Sequence, residues 1–182
     1  MLTRTERQAL LRLARQALTA RVAGAPDPAL PDAASLHRPA GAFVTLTARG
    51  ELRGCIGHPE ADQALAGVVS RCAAAAATED PRFDPVAPGE LAGILVEVSV
   101  LGALERVHDL STIIVGRHGL IVEQGARRGL LLPQVATEWR WDWQTFVSQT
   151  CSKAGLRPDA WRTGASILSF EAEIFGERDY GV

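Results

Sequence analysis

The chain is organised around one stretch, residues 42–57, which reads AFVTLTARGELRGCIG. Its first half is rich in β-branched and aromatic side chains, a composition that predicts a strand over residues 42–48. Arg49-Gly50 predicts a tight turn, after which residues 51–56 return as the partner strand. The hexapeptide Leu52–Gly57 therefore lies at the end of a β-hairpin, a position that commonly carries functional residues.

The hexapeptide places a guanidinium close to a thiol. Strand alternation predicts Arg53 and Cys55 on one face of the strand. It puts Leu52 and Ile56 on the opposite face. A neighbouring guanidinium favours the thiolate, which is the reactive form of cysteine. Cys55 is therefore the candidate catalytic residue, and Arg53 is the residue that would stabilise its charged form.

The hexapeptide also contains Gly54 and Gly57, and His58 follows it directly. Glycines leave main-chain amides open to close approach by a ligand, so both are candidate binding residues. Two roles of Cys55 remain open at this point. It could act as a nucleophile with His58 or His118 as its base, or it could be a small residue that lines a binding site.

Distant parts of the sequence supply further candidate binding residues. Arg82 lies in the proline-rich turn DPRFDP, residues 80–85. It either pairs with a carboxylate inside a rigid turn or reaches the neighbourhood of Cys55 to bind an anionic group. His118 lies in a glycine-bounded turn, where a histidine is usually solvated or hydrogen-bonded. Lys153 is the only lysine among 19 basic residues, which hints at a role that an arginine does not serve.

Glu97 interrupts an otherwise apolar strand signal over residues 94–101. Because burying an unpartnered carboxylate is costly, Glu97 should face an arginine, a hydroxyl group or a solvent-filled cleft. A structural ion pair is the favoured interpretation of this residue. A role as general acid or base is the functional alternative.

Composition narrows the possible partners. The 182 residues suffice for one domain or for two intimately joined subdomains. A formal net charge of -2 gives no general attraction to nucleic acid or to an anionic membrane. No apolar run reaches the roughly 20 residues that span a bilayer. We therefore expect neither a nucleic-acid nor a membrane partner.

The three cysteines are Cys55, Cys72 and Cys151, an odd number at wide spacing. This pattern argues against a disulfide framework and favours the reducing cytoplasm. The sequence has no Cys-x-x-Cys or His-x-x-x-His pair, so it predicts no metal site. It also lacks the glycine-rich phosphate-binding and dinucleotide-binding motifs. The sequence implies no cofactor, and the identity of any cofactor is unknown.

The rest of the chain predicts alternating helices and strands. A capping box at Thr3 and Glu6 begins a helix that ends at Gly24. The other predicted elements are a helix over residues 62–78, a hairpin that pairs 113–115 with 120–123, a helix from 142 to 154, and a last strand over 167–175.

Several segments carry a resemblance to a known family. They are GAFVTL (41–46), LRGCIG (52–57), DPRF (80–83), VSVL (98–101), GRHGL (116–120), LLPQVA (131–136) and CSKAGL (151–156). With these motifs in this order, the chain resembles the AMMECR domain family, also called AmmeMemoRadiSam system protein A, over nearly its whole length. The hexapeptide is the signature of that family.

The resemblance implies an α+β fold with mixed, mostly antiparallel sheets and flanking helices. It implies a larger subdomain built from both chain ends, a smaller one from the middle, and a site at the hexapeptide in a cleft between them. It also implies two partners, a Memo-like relative of extradiol dioxygenases and a radical S-adenosylmethionine protein. The assembly state would be a monomer or a homodimer. The family has no established activity.

Two hypotheses about function follow. In the first, the chain is an enzyme, or an enzyme component, that uses Cys55 with Arg53, Arg82 and Lys153 in a modification pathway. In the second, it is a non-catalytic module that presents the hexapeptide to a Memo-like partner. The second is favoured, because the sequence displays no complete catalytic set.

Overall fold

A computed structural model describes residues 1–181 of the chain. Its helices are α1 (Arg4–Ala23), α2 (Leu65–Thr78), α3 (Pro133–Glu138), α4 (Trp143–Lys153) and α5 (Glu177–Tyr180). Its strands are β1 (Ala42–Ala48), β2 (Glu51–His58), β3 (Ile94–Leu101), β4 (Glu105–Arg106), β5 (His118–Gln124), β6 (Arg127–Leu131) and β7 (Ser166–Gly176). The strand pairs β1–β2, β1–β3, β5–β6, β5–β7 and β4–β7 are antiparallel. The predicted α+β class is confirmed.

The chain divides into two compact units. The first comprises Met1–Leu101 together with the C-terminal residues from Glu173 onward, and the second comprises Gly102–Ala172. Strand β7 begins in the second unit, and its last residues belong to the first. None of the helices within residues 1–181 is long and apolar enough to cross a membrane.

In the first unit, the strand order is β2-β1-β3, with the final residues of β7 next to β3. Helices α1 and α2 cover one face of this sheet. The inward side chains of β1 are Ala42, Val44 and Leu46, and all three are fully buried in the core that the helices share. The alternate residues of β1 are half-buried and point to the other face of the sheet. This second face is the one that carries Cys55.

Local sequence signals account for the ends of α1. The side chain of Thr3 accepts a hydrogen bond from the main-chain N–H of Glu6, and the Glu6 carboxylate accepts one from Thr3, so the predicted capping box is present. At the other end Gly24 adopts φ 65°, a left-handed conformation that glycine reaches without strain. Apolar residues at helical spacing then bury one side of α1 against the sheet.

The central hairpin forms as predicted, with Arg49 and Gly50 as its two turn residues. The register nevertheless shifts inside it, because Leu46 pairs with Gly54 whereas Thr47 pairs with Leu52. Arg53 is therefore an extra residue in a β-bulge. The prediction that simple alternation runs through Arg53, with Leu52 on the face opposite to Cys55, is wrong. Because of the bulge, the alternation of faces restarts at Leu52, which pairs directly with Thr47.

In the second unit, β5 pairs with β6 on one side and with β7 on the other, and β4 pairs with β7. Helix α4 packs on β5 and β6. The core of this unit is formed by buried apolar residues from these elements, among them Leu120, Phe146, Val147 and Ile167.

One predicted helix start and one predicted strand pairing differ from the structure. Helix α2 begins at Leu65, three residues after the predicted start at residue 62. The predicted hairpin between residues 113–115 and 120–123 is wrong, because β5 forms its hairpin with β6. Short apolar runs do not distinguish strands from other buried segments. Ile113 is buried in the core of the second unit without belonging to a strand.

Candidate functional site

Cys55 lies in a row of polar side chains that crosses three neighbouring strands. It is paired with Thr45 of β1, and Thr45 is paired on its other side with Glu97 of β3. Directly paired residues of antiparallel strands project to the same face. The hydroxyl oxygen of Thr45 lies 3.4 Å from the Cys55 sulfur. The face away from α1 and α2 thus presents a thiol, a hydroxyl group and a carboxylate side by side.

A side chain outside the hairpin holds the main chain of Cys55. Strand β2 is at the edge of the sheet, so half of its main-chain groups point away from β1. The outward N–H of Cys55 donates to Oδ2 of Asp80 at 2.8 Å. The Cys55 carbonyl oxygen lies 3.5 Å from Nη2 of Arg82. These two side chains occupy the positions that a neighbouring strand would take.

Asp80 and Arg82 form a two-point ion pair. The Arg82 guanidinium donates from Nε to Oδ1 at 2.9 Å and from Nη2 to Oδ2 at 2.6 Å. The main-chain N–H of Arg82 also donates to Oδ1 at 3.1 Å. Asp80 is only 5% exposed. Hydrogen bonding from Arg82 holds the pKa of Asp80 well below its usual range, and the carboxylate raises the pKa of Arg82.

Arg82 pairs with a carboxylate, as the first interpretation from the sequence has it, and its Nη2 also lies near the Cys55 carbonyl oxygen. Binding of an anionic group by Arg82 stays a prediction. Asp80 is not among the candidate residues predicted from the sequence. Its position two residues before Arg82 in an Asp-Pro-Arg turn was the only available signal, because Asp side chains commonly accept bonds from main-chain groups two residues further on.

Arg53 forms the second ion pair of the site. Its guanidinium donates to the Glu90 carboxylate from Nε at 2.9 Å and from Nη2 at 3.1 Å. The remaining nitrogen, Nη1, donates to the Asp84 carbonyl oxygen at 2.9 Å. Hydrogen bonding from Arg53 lowers the pKa of Glu90 to about 2. The structure therefore gives the Arg53 guanidinium three oxygen partners, from two residues of the segment that follows Arg82.

The ring of Phe83 lies next to both arginines. Its centroid is 6.0 Å from Cζ of Arg53 and 5.4 Å from Cζ of Arg82, distances at which a guanidinium is attracted to an aromatic ring. One aromatic side chain thus links the two ion pairs. The resulting cluster beside the hexapeptide consists of Arg53, Asp80, Arg82, Phe83 and Glu90, and we refer to it as the arginine cluster.

Packing gives a structural reason for both glycines of the hexapeptide. A Cβ atom at Gly54 would lie 2.2 Å from the carbonyl oxygen of Ala76 in α2. A Cβ atom at Gly57 would lie 2.1 Å from the ring of Phe43. Real Cβ atoms do not approach so closely. The missing side chains let α2 and Phe43 pack directly on β2.

His58 and Ser99 lie near the ends of this face. The Nε2 atom of His58 is 2.6 Å from Oδ1 of Asp62, and this hydrogen bond lowers the pKa of Asp62. Glu60 lies 3.5 Å from the other ring nitrogen. Ser99 is two residues beyond Glu97 on the same face, is 1% exposed, and has no hydrogen-bond partner for its Oγ within the described part of the chain.

The remaining candidates, His118 and Lys153, belong to the second unit and are described there. His118 is the first residue of β5, and its Nδ1 accepts a hydrogen bond from the main-chain N–H of Ile114 at 3.1 Å. Lys153 is the last residue of α4 and is exposed. The structure thus brings Arg53, Cys55 and Arg82 together within the first unit. The other predicted residues of that unit are Gly54, Gly57, His58 and Glu97.

Metal coordination has no obvious centre here. Among residues 1–181, no three His, Cys, Asp or Glu side chains are grouped so that they could hold a metal ion. The arrangement can fix the orientation of a thiol and present fixed guanidinium groups beside it.

Comparisons with known proteins place these features in a family. The AMMECR1 family model matches residues 11–175. A Methanosarcina acetivorans protein is 44% identical, over 98% of this chain and 95% of its own length. A Methanothermobacter thermautotrophicus protein is 46% identical, over 97% of this chain and 96% of its own length. The crystal structure of the uncharacterized protein PH0010 from Pyrococcus horikoshii is similar, with a TM-score of 0.88 and 40% identity, and the match covers 92% of this chain and 89% of that one.

Proposed function

Because the chain belongs to the AMMECR1 family, we propose that it is a component of an AmmeMemoRadiSam-type modification pathway, in which it binds a ligand or partner through Leu52–Gly57. The Memo-like protein and the radical S-adenosylmethionine protein of such a pathway are the proposed partners. The dispersed cysteines support a cytoplasmic location.

The observation that carries this proposal is the setting of Leu52. Leu52 is a large apolar residue that is 42% exposed, and it lies on an edge strand. The next residue, Arg53, is anchored by Glu90. Exposed apolar side chains in a rigid surround act as anchors of protein interfaces, because little conformational entropy is lost when they bind.

The partners of the charged groups also support binding over chemistry. Hydrogen bonds to Glu90 and Asp84 occupy the Arg53 guanidinium, and Asp80 holds two nitrogens of Arg82. A guanidinium that is already ion-paired contributes less to stabilising a thiolate than a free one, because the neighbouring carboxylate offsets its field. The cluster is therefore better suited to shape a rigid surface.

A binding measurement with matched variants tests the proposal. The probe is the purified Memo-like protein encoded by the same genome, titrated against the full chain at micromolar concentrations. We expect a complex whose Kd rises at least about tenfold in Leu52→Asp, since a charge at an interface anchor is costly. The control is Ile114→Asp in the second unit, where the side chain has a similar exposure of 51%.

The control should bind as the wild type does. Absence of a complex at micromolar concentration, or equal losses in the two variants, would overturn the proposal.

A second candidate function is an enzyme that uses Cys55 as a nucleophile or catalytic thiol. The hydroxyl group of Thr45, 3.4 Å from the sulfur, favours it, because a hydroxyl can donate to a thiolate. This function requires that iodoacetamide react with Cys55 at neutral pH faster than with free cysteine. A rate no higher than that of free cysteine would exclude an activated thiol.

A further inference from the structure

Two main-chain groups of Cys55 are held by one ion pair. The Asp80 carboxylate accepts a hydrogen bond from the Cys55 N–H, and the Arg82 guanidinium lies near the Cys55 carbonyl oxygen. Asp80 accepts three further hydrogen bonds from Arg82, so both carboxylate oxygens are engaged. The position of Cys55 on the edge strand therefore depends on a contact between residues 25 positions apart in the sequence.

The hydrogen-bonding pattern explains the closeness of Cys55 to Thr45. Since the N–H of Cys55 points away from β1, its pair with Thr45 is of the non-hydrogen-bonded type, in which paired side chains come closest. Holding this N–H outward thus fixes the sulfur beside the Thr45 hydroxyl. Asp80 acts on the thiol through the main chain and does not need to touch it.

The charged groups around Cys55 in the first unit form balanced pairs. Asp80 and Arg82 oppose each other at the strand edge, and Arg53 opposes Glu90 on the neighbouring turn. Two other titratable groups lie on neighbouring elements. Glu97 is on β3, beyond Thr45, and Cys72 is in α2, with burial raising the pKa of its thiol to about 11.

A second polar side chain on the same face is buried. Ser99 is almost fully buried in the neighbouring row of the same face, and its hydroxyl group lacks a hydrogen-bond partner within residues 1–181. Buried hydroxyl groups are nearly always hydrogen-bonded in native proteins. The face therefore contains Cys55, whose main chain is fixed by hydrogen bonds, and the Ser99 hydroxyl group, which has no hydrogen-bond partner within residues 1–181.

We propose that Asp80 and Arg82 are a matched pair of positioning residues for Cys55, which fix its main chain at the edge of β2 and balance the charge beside its thiol. This inference rests on the proposed function, since it concerns the same hexapeptide. It assigns the two residues of the Asp-Pro-Arg turn to a single role. The pair works only when both members are present, because each alone leaves an uncompensated charge next to Cys55.

The matched charges give the proposal a distinctive consequence. Asp80→Asn leaves the Arg82 cation unpaired, which favours the thiolate of Cys55. Arg82→Gln leaves the Asp80 anion unpaired, which disfavours it. A purely structural role would loosen the site in both variants and move the thiol in the same direction. Opposite effects therefore distinguish charge balance from loss of structure.

The experiment measures the rate at which iodoacetamide alkylates Cys55 as a function of pH, with peptide mass spectrometry to separate Cys55 from Cys72 and Cys151. We expect the midpoint of the pH profile to fall in Asp80→Asn and to rise in Arg82→Gln, each by about half to one pH unit. In the double variant the charges balance again, so its midpoint should lie within about 0.3 pH unit of the wild type.

The chain offers a matched control pair. Arg157 and Asp159 form an ion pair with the same two-residue spacing and the same two-point geometry, at 3.0 and 2.6 Å, but both are exposed and lie in the second unit. Asp159→Asn and Arg157→Gln should leave the Cys55 profile unchanged. If they moved it as far as the Asp80 and Arg82 variants do, the proposal would be overturned.

If Asp80→Asn does not fold, Arg82→Lys and Arg82→Gln decide the question. Lysine keeps the positive charge, so the midpoint of the Cys55 alkylation profile in Arg82→Lys should stay near that of the wild type. The midpoint in Arg82→Gln should rise. Equal midpoints in these two variants, shifts in one common direction, or no shift at all would contradict the proposal. If the Memo-like protein still binds in that case, only this inference fails. If binding is absent while the opposite shifts appear, the proposed function fails instead.

Discussion

Asp80 and Cys55 are joined by a hydrogen bond in which the carboxylate accepts the main-chain N–H at 2.8 Å. This bond links the end of α2 to the edge strand of the first unit. The carboxylate is 5% exposed and is fully engaged by Cys55 and Arg82. The edge of β2 is therefore closed by a side chain where a further strand would otherwise add.

Replacement of Asp80 by alanine should destabilise the protein. It leaves the Cys55 N–H without its acceptor and Arg82 without its counter-ion, which should lower the free energy of unfolding by about 2 to 4 kcal/mol. Urea denaturation measures this change. Asp159→Ala, in the exposed pair with Arg157, should change the free energy of unfolding far less, because solvent screens an exposed ion pair. Equal losses in the two variants would show that the burial of Asp80 is unimportant.

Gly54 should tolerate no side chain. Alanine at this position would place its Cβ atom 2.2 Å from the Ala76 carbonyl oxygen, so α2 would have to move away from β2. We expect Gly54→Ala to lower the free energy of unfolding by about 3 kcal/mol or more, as overpacking against main chain does. Gly93→Ala is the control, since nothing lies within 4 Å of its Cβ position. A thermal melt of Gly54→Ala that matches the control would refute the close packing of α2.

The ion pair of Arg53 and Glu90 should make stability depend on acid pH. Because the pKa of Glu90 is lowered from 4.5 to about 2 in the folded protein, the folded state favours the carboxylate more strongly than the unfolded chain does. The stabilisation is fully present above pH 4.5 and is lost as the pH falls toward 2. Between these values the free energy of unfolding should decline less steeply in Glu90→Gln than in the wild type. Chemical denaturation at a series of pH values compares the slopes, and parallel slopes would argue against this pair.

The three thiols should react with iodoacetamide in a defined order. Cys55 is half-buried, whereas Cys72 and Cys151 are buried, and burial raises the pKa of both of their thiols. Under native conditions Cys55 should therefore be alkylated at least about tenfold faster than the other two, which react only when the structure opens. Mass spectrometry of a time course gives the three rates. A similar rate for Cys72 would mean that α2 separates readily from the sheet.

The central hairpin and helix α1 could be predicted from sequence because their signals are local. Arg49-Gly50 defines a two-residue turn, and the Thr3–Glu6 capping box defines the start of α1 over four consecutive residues. The second hairpin could not be predicted correctly. Ile113 has the apolar character of a strand residue, but packing in the core rather than strand pairing is what buries it.

The arrangement of the site was decided by the tertiary structure. The row of Cys55, Thr45 and Glu97 depends on the registers of two strand pairs, and a shift of one residue would turn each side chain to the other face. The bulge at Arg53 is such a shift, and it overrode the simple alternation of the sequence.

The sequence by itself determined that a thiol, an arginine and two glycines would share a hairpin strand, since turn chemistry and strand propensity act between near neighbours. Only the tertiary structure decided that Asp80 would hold the main chain of that cysteine. The contact spans 25 residues, and it forms because the packing of α2 on β2 returns the chain to the strand edge, where an unpaired N–H needs an acceptor.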